Sequence, residues 1–350
     1  MSRSKIIRIL IALALILLLA IRGAYLHHPH LQGQTMGTTY HIVLPGYLSR
    51  AQIARLSEKI QTRLAQINHE MSTWEKESEI SQFNQFKQTT PFPVSKPFFQ
   101  VSKVALQLSK ETDGAFDPTL NPLLNLWGFG SGGAQRKIPS DAEIDQAKAL
   151  TGWHRLHLHP TPSPALSKEI PELQLDYGAI AKGYGVDEIG RLLTSEGLKN
   201  WMVEIGGEVS ARGFNPEKKP WRIGIQFPSA NPLDGRIQGI AELHDAALAT
   251  SGDYRNYILQ GEHLYSHILD PRTGYAALSS TASVTVLAPD CMHADGVATA
   301  LFVMGAQEGL EWVESHPQIE AMFLVRSKDG KISEKFSSGF FGRTSYTATP

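Results

Sequence analysis

Between residues 33 and 326, strand-like and helix-like segments follow one another without a regular strand–helix–strand beat, and this irregularity is the strongest constraint on the fold. Residues 33–44, GQTMGTTYHIVL, alternate enough to form a first strand. Ser49 with Gln52 then reads as a capping box, and Ile53, Leu56, Ile60, Leu64, Ile67 and Met71 recur at three- and four-residue steps, predicting an amphipathic helix. A second helix is expected over residues 97–112, with Phe98, Val101, Val104, Ala105 and Leu108 on one face and Gly114 as its stop. Further on, residues 186–196 read as a helix ended by Gly197, and strands are expected over 201–209, 221–227, 240–250, 283–288 and 321–326. A parallel sheet needs a crossover between each pair of strands, which this order does not supply. The expected fold class is therefore α+β, a mixed and largely antiparallel sheet with packed helices.

The start of the chain stands apart. Residues 6–26, IIRILIALALILLLAIRGAYL, are almost unbroken apolar sequence, with Arg3 and Lys5 ahead of them. Such a segment targets or anchors a protein and stays out of its fold. Basic residues before it favour a cytoplasmic N-terminus and an exported body. Its uninterrupted part, residues 9–21, is short for a span and also suits a cleaved signal, but Arg22 sits where cleavage would need small residues. The expectation is an uncleaved signal anchor and tether over residues 1–31, with Arg8 and Arg22 snorkelling, followed by one catalytic domain over residues 32–350. That domain is placed on the outer side of the membrane.

Charge narrows the partners. Lys and Arg total 33 against 34 for Asp and Glu, so no basic field exists to hold nucleic acid. The first 26 residues carry four of the bases and no acid, which leaves 29 bases against 34 acids in the body. An acidic body binds an anionic ligand only through local donors or a metal. The single cysteine, Cys291, excludes disulfides, CxxC motifs and a lipid anchor after the apolar run, so metal ligands must be oxygen or imidazole.

Four segments are richer in Gly, Asp and hydroxyl residues than packing requires: MGTTY at 36–40, GAFDP at 114–118, DYGAIAKGYGVD at 176–187 and HADGVATAL at 293–301. In the third, Gly178, Gly183 and Gly185 would admit a ligand close to the backbone, and Lys182 puts a cation beside the start of a helix, a setting that suits phosphate. A plain glycine turn with Lys182 in solvent is the alternative. In the fourth, Asp295 and Thr299 share a helix face and offer hard oxygens of the kind Mg2+ accepts, unless Asp295 only caps the helix. His267, in YSHILDPRTGY, is a neutral-pH base at a strand end or a satisfied structural histidine, while Asp270 and Pro271 are explained by a turn. Trp74 is core, lid or a stacking surface for a flat ring. His154, His157 and His159 partly alternate on a strand but lack a Cys or acid at zinc-ligand spacing. GFGSGG at 128–133 matches GxGxxG, yet neither follows a β-branched strand nor opens a helix, since the next helical signal is the capping box from Ser140 to Glu143. It reads as a flexible loop, and the Pro/Ser cluster at 160–171 as an exposed one.

Taken in order, MGTTY, MSTWEKESEISQFN, GAFDPTLNPLLNLWGFG, LDYGAIAKGYGVDEI, VEIGGEVSARG, LATSGDYRNY, YSHILDPRTGY and ADGVATALFVMG resemble the FAD:protein FMN transferases, the ApbE family. The resemblance covers nearly the whole exported part. It implies a Mg2+-dependent enzyme that moves the FMN half of FAD onto a Thr or Ser hydroxyl of an exported or membrane-bound acceptor protein, through a phosphoester, releasing AMP. It also implies FAD contacts at Met36, Trp74, Ala115, Phe116, Asp117, Asp176, Lys182 and Ile268, metal ligation by Asp295, Thr299 and the Ala179 carbonyl, and His267 as the base. Ala298 precedes Thr299 where an acid would add a second carboxylate, so the metal motif holds one. A Mg2+-dependent FAD pyrophosphatase and a non-catalytic FAD-binding protein are the alternatives.

Overall fold

The computed structural model describes residues 25–349 except 134, 230, 232, 233, 254–256, 261, 262, 278 and 328. The strands of its central sheet, numbered in chain order, are β1 (His30–Thr35), β2 (Thr38–Val43), β3 (Trp201–Ile205), β4 (Glu208–Arg212), β5 (Ala246–Gly252), β6 (Thr281–Ala288), β7 (Glu320–Arg326) and β8 (Ile332–Phe336). Their order across the sheet is their order in the chain, and every neighbouring pair is antiparallel. The α+β expectation with a largely antiparallel sheet holds. The helices enter as excursions between neighbouring strands, so the sheet needs no crossover connection.

The sheet is covered on both faces. Along β6, Val284, Val286 and Ala288 point into the helical core while Leu287 points the other way. Along β7, Ala321 and Phe323 alternate in the same manner with Met322 and Leu324. The helical face is filled by α1 (Arg50–Met71), α2 (Lys96–Glu111), α3 (Ala181–Ser195) and α4 (Cys291–Glu314). On the opposite face lies a three-stranded sheet of Trp221–Gln226, Ile237–Leu243 and Tyr346–Ala348. Two-sided cover explains why all eight residues of β6 are buried.

Several sequence expectations are corrected by turns hidden inside alternating runs. Residues 33–44 form a hairpin, because Met36 and Gly37 both adopt positive φ, 49° and 69°, the requirement of a two-residue type I′ turn. Residues 201–209 likewise reverse at Gly206 and Gly207. Residues 240–250 divide between two sheets at Asp245, whose φ is 50°. The Pro/Ser stretch at 160–171 contains the buried strand Ala165–Lys168, paired with Leu156–His159. Its Lys168 ammonium is satisfied by the Phe83 and Leu173 carbonyls at 3.1 and 3.0 Å. The capping boxes at Ser49 and Ser140 are both present.

Residues 1–24, which include all but the last two residues of the apolar N-terminal run, lie outside the described residues. Among the described residues no helix is long and apolar enough to cross a membrane. The 31/32 boundary falls within β1, and Tyr25–His27, assigned to the tether, pairs with Tyr47–Ser49.

Candidate functional site

Two adjoining cavities open where the helical core meets the sheet. The wider, 830 Å³, is lined by the β1–β2 turn from Gln34 to Thr39, the end of α1 and the segment from Ser72 to Glu75. The turn is held to α1 by Asn68, whose amide donates to Thr35 Oγ1 at 3.1 Å and to the Leu64 carbonyl at 3.0 Å. Met36 is carried into the cavity wall by its left-handed backbone. Trp74 stands at the mouth with 72% of its surface exposed, so it is neither core nor buried lid.

The narrower cavity, 300 Å³, shares Trp74, Asp176, Gly178 and Lys182 with the first. Ala115, Phe116, Asp117, Ala179, His267, Ile268, Asp295 and Thr299 complete the set singled out from the sequence, together with residues it did not single out: Phe129, Glu208, Thr250 and Ser251. All twelve nominated residues therefore line one or both cavities.

Each wall has a local cause. Gly114, at φ 76°, ends the turn after α2 and lets GAFDP cross the cavity floor. Asp117 then fixes its own loop: Oδ1 accepts from the Thr119 amide and hydroxyl at 2.7 and 2.6 Å, and Oδ2 accepts from the Trp153 amide at 3.0 Å. The Asp176 amide donates to the Pro118 carbonyl, joining this loop to the next, and Asp176 Oδ1 accepts from the Gly178 amide at 2.7 Å. Burial pushes both carboxyls above the usual aspartate range. Neither loop is left to solvent to organise.

Of the three glycines credited with admitting a ligand, Gly178 lines both cavities, whereas Gly183 admits a helix instead. A Cβ at Gly183 would lie 2.2 Å from the Cys291 carbonyl oxygen, so this position lets α3 touch the start of α4. Gly185 faces Met36 and Ile205. Helix α3 accordingly begins at Ala181, earlier than expected, and Lys182 belongs to its first turn.

Asp295 is not a cap. Asp290 caps α4 by accepting from the His293 amide, and Asp187 of α3 accepts from the Cys291 and Met292 amides, each at 2.9 Å. Asp295 and Thr299, four residues apart, are left to line the cavity: Asp295 Oδ2 accepts from the Gly183 amide at 2.9 Å, and Thr299 Oγ1 lies 3.1 Å from Ser251 Oγ. Lys182 Nζ sits 3.5 Å from Asp295 Oδ1 and 3.3 Å from Glu208 Oε1. Burial opposes its charge, but Asp295 and Glu208 outweigh burial and hold the ammonium protonated above its ordinary range. Glu208 is buried, and burial pushes its carboxyl up.

His267 follows the strand His263–Ser266, its ring edge-on to Phe129 with centroids 6.3 Å apart. The GFGSGG segment is thus an ordered wall: Gly128 caps Asn121–Trp127 with φ 76°, and the Gly132 amide donates to Asn125 Oδ1 at 2.8 Å. Behind His267, the Asp270–Gly274 turn closes through a 2.7 Å bond from the Gly274 amide to the Asp270 carbonyl. His157 and His159 pair with Glu169 and Ser167, away from both cavities.

Among the described residues no three His, Cys, Asp or Glu side chains converge as metal ligands. The donors on the narrow cavity are instead carboxylate, hydroxyl and carbonyl oxygens, and one of them, Glu208 Oε2, is buried without a hydrogen-bond partner. That set fits a hard divalent cation whose remaining ligands come from substrate oxygens and water. The glutamate stands directly after the Gly206–Gly207 turn, at the first position of β4, where the fold buries it.

The comparisons with known proteins agree with one another. The FAD:protein FMN transferase of Vibrio cholerae is 44% identical over 331 residues, covering 95% of this chain and 97% of that protein. That of Haemophilus influenzae is 39% identical over 342 residues, covering 96% and 97%. Among solved structures, the flavin transferase ApbE from Vibrio cholerae superposes with a TM-score of 0.81 at 43% identity, covering 91% of this chain and 99% of the other. The apo form of the Pseudomonas stutzeri flavinyl transferase ApbE gives 0.80 at 35% identity, covering 90% and 96%. With the ApbE family profile also matching residues 36–323, the chain belongs to the ApbE family.

Proposed function

We propose that this chain is an FAD:protein FMN transferase: it moves the FMN moiety of FAD onto a Thr or Ser hydroxyl of an acceptor protein and releases AMP. The observation that carries this reading is the pair of joined cavities, a wide one ending at an exposed indole and a narrow one holding every nominated charged group. A dinucleotide has the same division into flat rings and a charged pyrophosphate. Met36, Trp74, Ala115, Phe116, Asp176, Lys182 and Ile268 would contact FAD. Asp117 would act through its loop, since Thr119 and Trp153 already occupy its carboxylate.

In the transfer, the acceptor oxygen attacks the phosphorus of the FMN half, the bond from that phosphorus to the bridging oxygen breaks, and AMP departs with that oxygen. His267 takes the proton of the attacking hydroxyl, and Lys182 places positive charge beside the pyrophosphate. Asp295, Thr299 and the Ala179 carbonyl would hold Mg2+. When bound, the ion supplies charge neutralisation at the pyrophosphate oxygens. The walls hold the reactants in line, which is where most of the rate in such transfers originates.

The apolar N-terminal run supports a body tethered to the outer face of the bacterial cytoplasmic membrane, where the acceptor would be an exported or membrane-bound protein. Incubation with FAD, Mg2+ and a candidate exported acceptor should add one FMN to a Thr or Ser by mass spectrometry. AMP release at full rate without any acceptor would overturn transfer in favour of FAD hydrolysis. Protease digestion of intact spheroplasts should remove the body; its protection would overturn the outward placement.

A further inference from the structure

We propose that Glu208 is a second carboxylate ligand of the divalent cation in the narrow cavity, an assignment that rests on the metal-dependent reading above. Glu208 opens β4, immediately after the Gly206–Gly207 turn, and only 4% of its surface is exposed. Its Oε2 is buried and has no hydrogen-bond partner. A buried acceptor in that state is costly, and a carboxylate oxygen more so than a neutral one. A cation meeting that oxygen would remove the cost.

Lys182 does not suffice. Its ammonium lies 3.3 Å from Glu208 Oε1, 3.5 Å from Asp295 Oδ1 and 3.4 Å from the Gly178 carbonyl, all beyond the roughly 2.7–2.9 Å of a strong charge-assisted bond. One cation is being shared by two acids. One ammonium beside Asp295 and Glu208 leaves the cavity no surplus of positive charge with which to receive a pyrophosphate. A divalent ion supplies it. Asp295 Oδ2 is engaged by the Gly183 amide, so the oxygens left to receive the ion are Asp295 Oδ1 and Glu208 Oε2. The second carboxylate that the helical motif lacks at Ala298 is then supplied across the cavity, from the sheet.

The test uses Mn2+ as the probe, titrated by electron paramagnetic resonance into the full chain with saturating FAD and no acceptor. Wild type should bind Mn2+, and Glu208→Gln should weaken that binding at least about tenfold. Glu208→Cys should bind Cd2+ with a thiolate-to-metal charge-transfer band absent from wild type, whose Cys291 is buried. Absence of Mn2+ binding by wild type would remove the metal-dependent reading and this assignment with it. If wild type binds Mn2+ but folded, FAD-binding Glu208→Cys shows no band, Glu208 acts through Lys182 and is not a ligand. Undiminished Mn2+ binding by Glu208→Gln would also overturn the assignment.

Discussion

The two cavities share a wall but are built by opposite means. The wide one is formed by a hairpin tip and a helix end at the edge of the sheet, and among the described residues its charged lining groups are Glu75 and the shared Asp176 and Lys182. The narrow one lies where α3 and α4 press together, and it gathers Asp117, Asp176, Lys182, Glu208, His267 and Asp295. Charged side chains are thus concentrated in the narrow cavity, while the wide one presents mainly hydroxyl, amide and apolar groups. An enzyme arranged this way can draw on contacts with remote parts of a substrate to orient the reacting part. Substitutions in the two regions should then fail differently, one in affinity and the other in turnover.

The sharpest break between them is expected at His267. His267→Ala should lower FMN transfer by about a hundred- to ten-thousand-fold, the usual range for a general base, with FAD affinity retained. Flavin fluorescence titration and the rate of FMN incorporation measure the two quantities separately. Normal turnover would remove His267 from the mechanism and with it the division of labour.

Next in size is a contrast along α3. At Gly183 an added Cβ meets the Cys291 carbonyl oxygen at 2.2 Å and Asp295 Cβ at 2.8 Å, so the helices must part. Gly183→Ala should cost about 1–3 kcal/mol or more in stability and displace Asp295. At Gly185 the nearest atom is the flexible end of Met36, at 3.1 Å. Gly185→Ala should leave stability near wild type, because alanine gains about 1 kcal/mol of helix propensity, and should weaken FAD binding only a few-fold. Equal melting temperatures for the two variants would contradict this picture.

A smaller effect belongs to Trp74. Because its indole is exposed, its removal opens no core cavity, and Trp74→Ala should leave the melting temperature unchanged. Loss of one stacking surface, about 0.5–1.5 kcal/mol, should raise the FAD concentration needed for half-maximal rate up to about tenfold. The rate at saturating FAD should be preserved. A fall in that rate instead would assign Trp74 to the chemistry.

What was legible in the sequence follows a physical rule. Periodicity exposed the helices, so α1 and its Ser49 cap appear as expected, and family-like motifs marked residues that the fold gathers from distant segments. Two-residue turns were illegible where their flanks keep alternating: Met36–Gly37 looked like the middle of a strand, although Gly206–Gly207 carried a readable turn signal. Gly183 was misread because a glycine that admits a helix and one that admits a ligand look identical in one dimension. Glu208 was missed because its meaning lies in the partner it lacks. Lys168 was unreadable for a related reason, since the carbonyls that receive it belong to Phe83 and Leu173.

The outer wall of the narrow cavity offers the mildest test, because it stands on its own small core. Leu123, Trp127, Ile144, Leu269 and Ala276 pack together under the turn behind His267, and Trp127 Nε1 donates to the Gly274 carbonyl at 3.1 Å. Ile144 reaches this core from the helix Asp141–Lys148, which is held by the Ser140–Glu143 capping box. Lys137, and then the Ser140 amide and hydroxyl, pull the Glu143 carboxyl down to about 2 from an ordinary 4.5. A carboxyl depressed on folding stabilises above its unfolded pKa and loses that contribution as pH falls through its folded pKa. Glu143→Gln should therefore loosen residues 141–148 at neutral pH, and its difference from wild type should shrink between pH 4.5 and about 2. Ser140→Ala should do the same at neutral pH, by about 1 kcal/mol locally. Hydrogen exchange of that segment, corrected for intrinsic rates, measures both. Since the pair is exposed, raised salt should reduce the Glu143 effect. FMN transfer should fall less than twofold or so, because opening this helix reaches His267 indirectly, through Ile144, the Tyr275 hydroxyl on Asp141 and the Lys148 ammonium on the Arg272 carbonyl. Loss of FAD affinity in either variant would mean that the small core supports the wide cavity as well, and that the two regions are mechanically one.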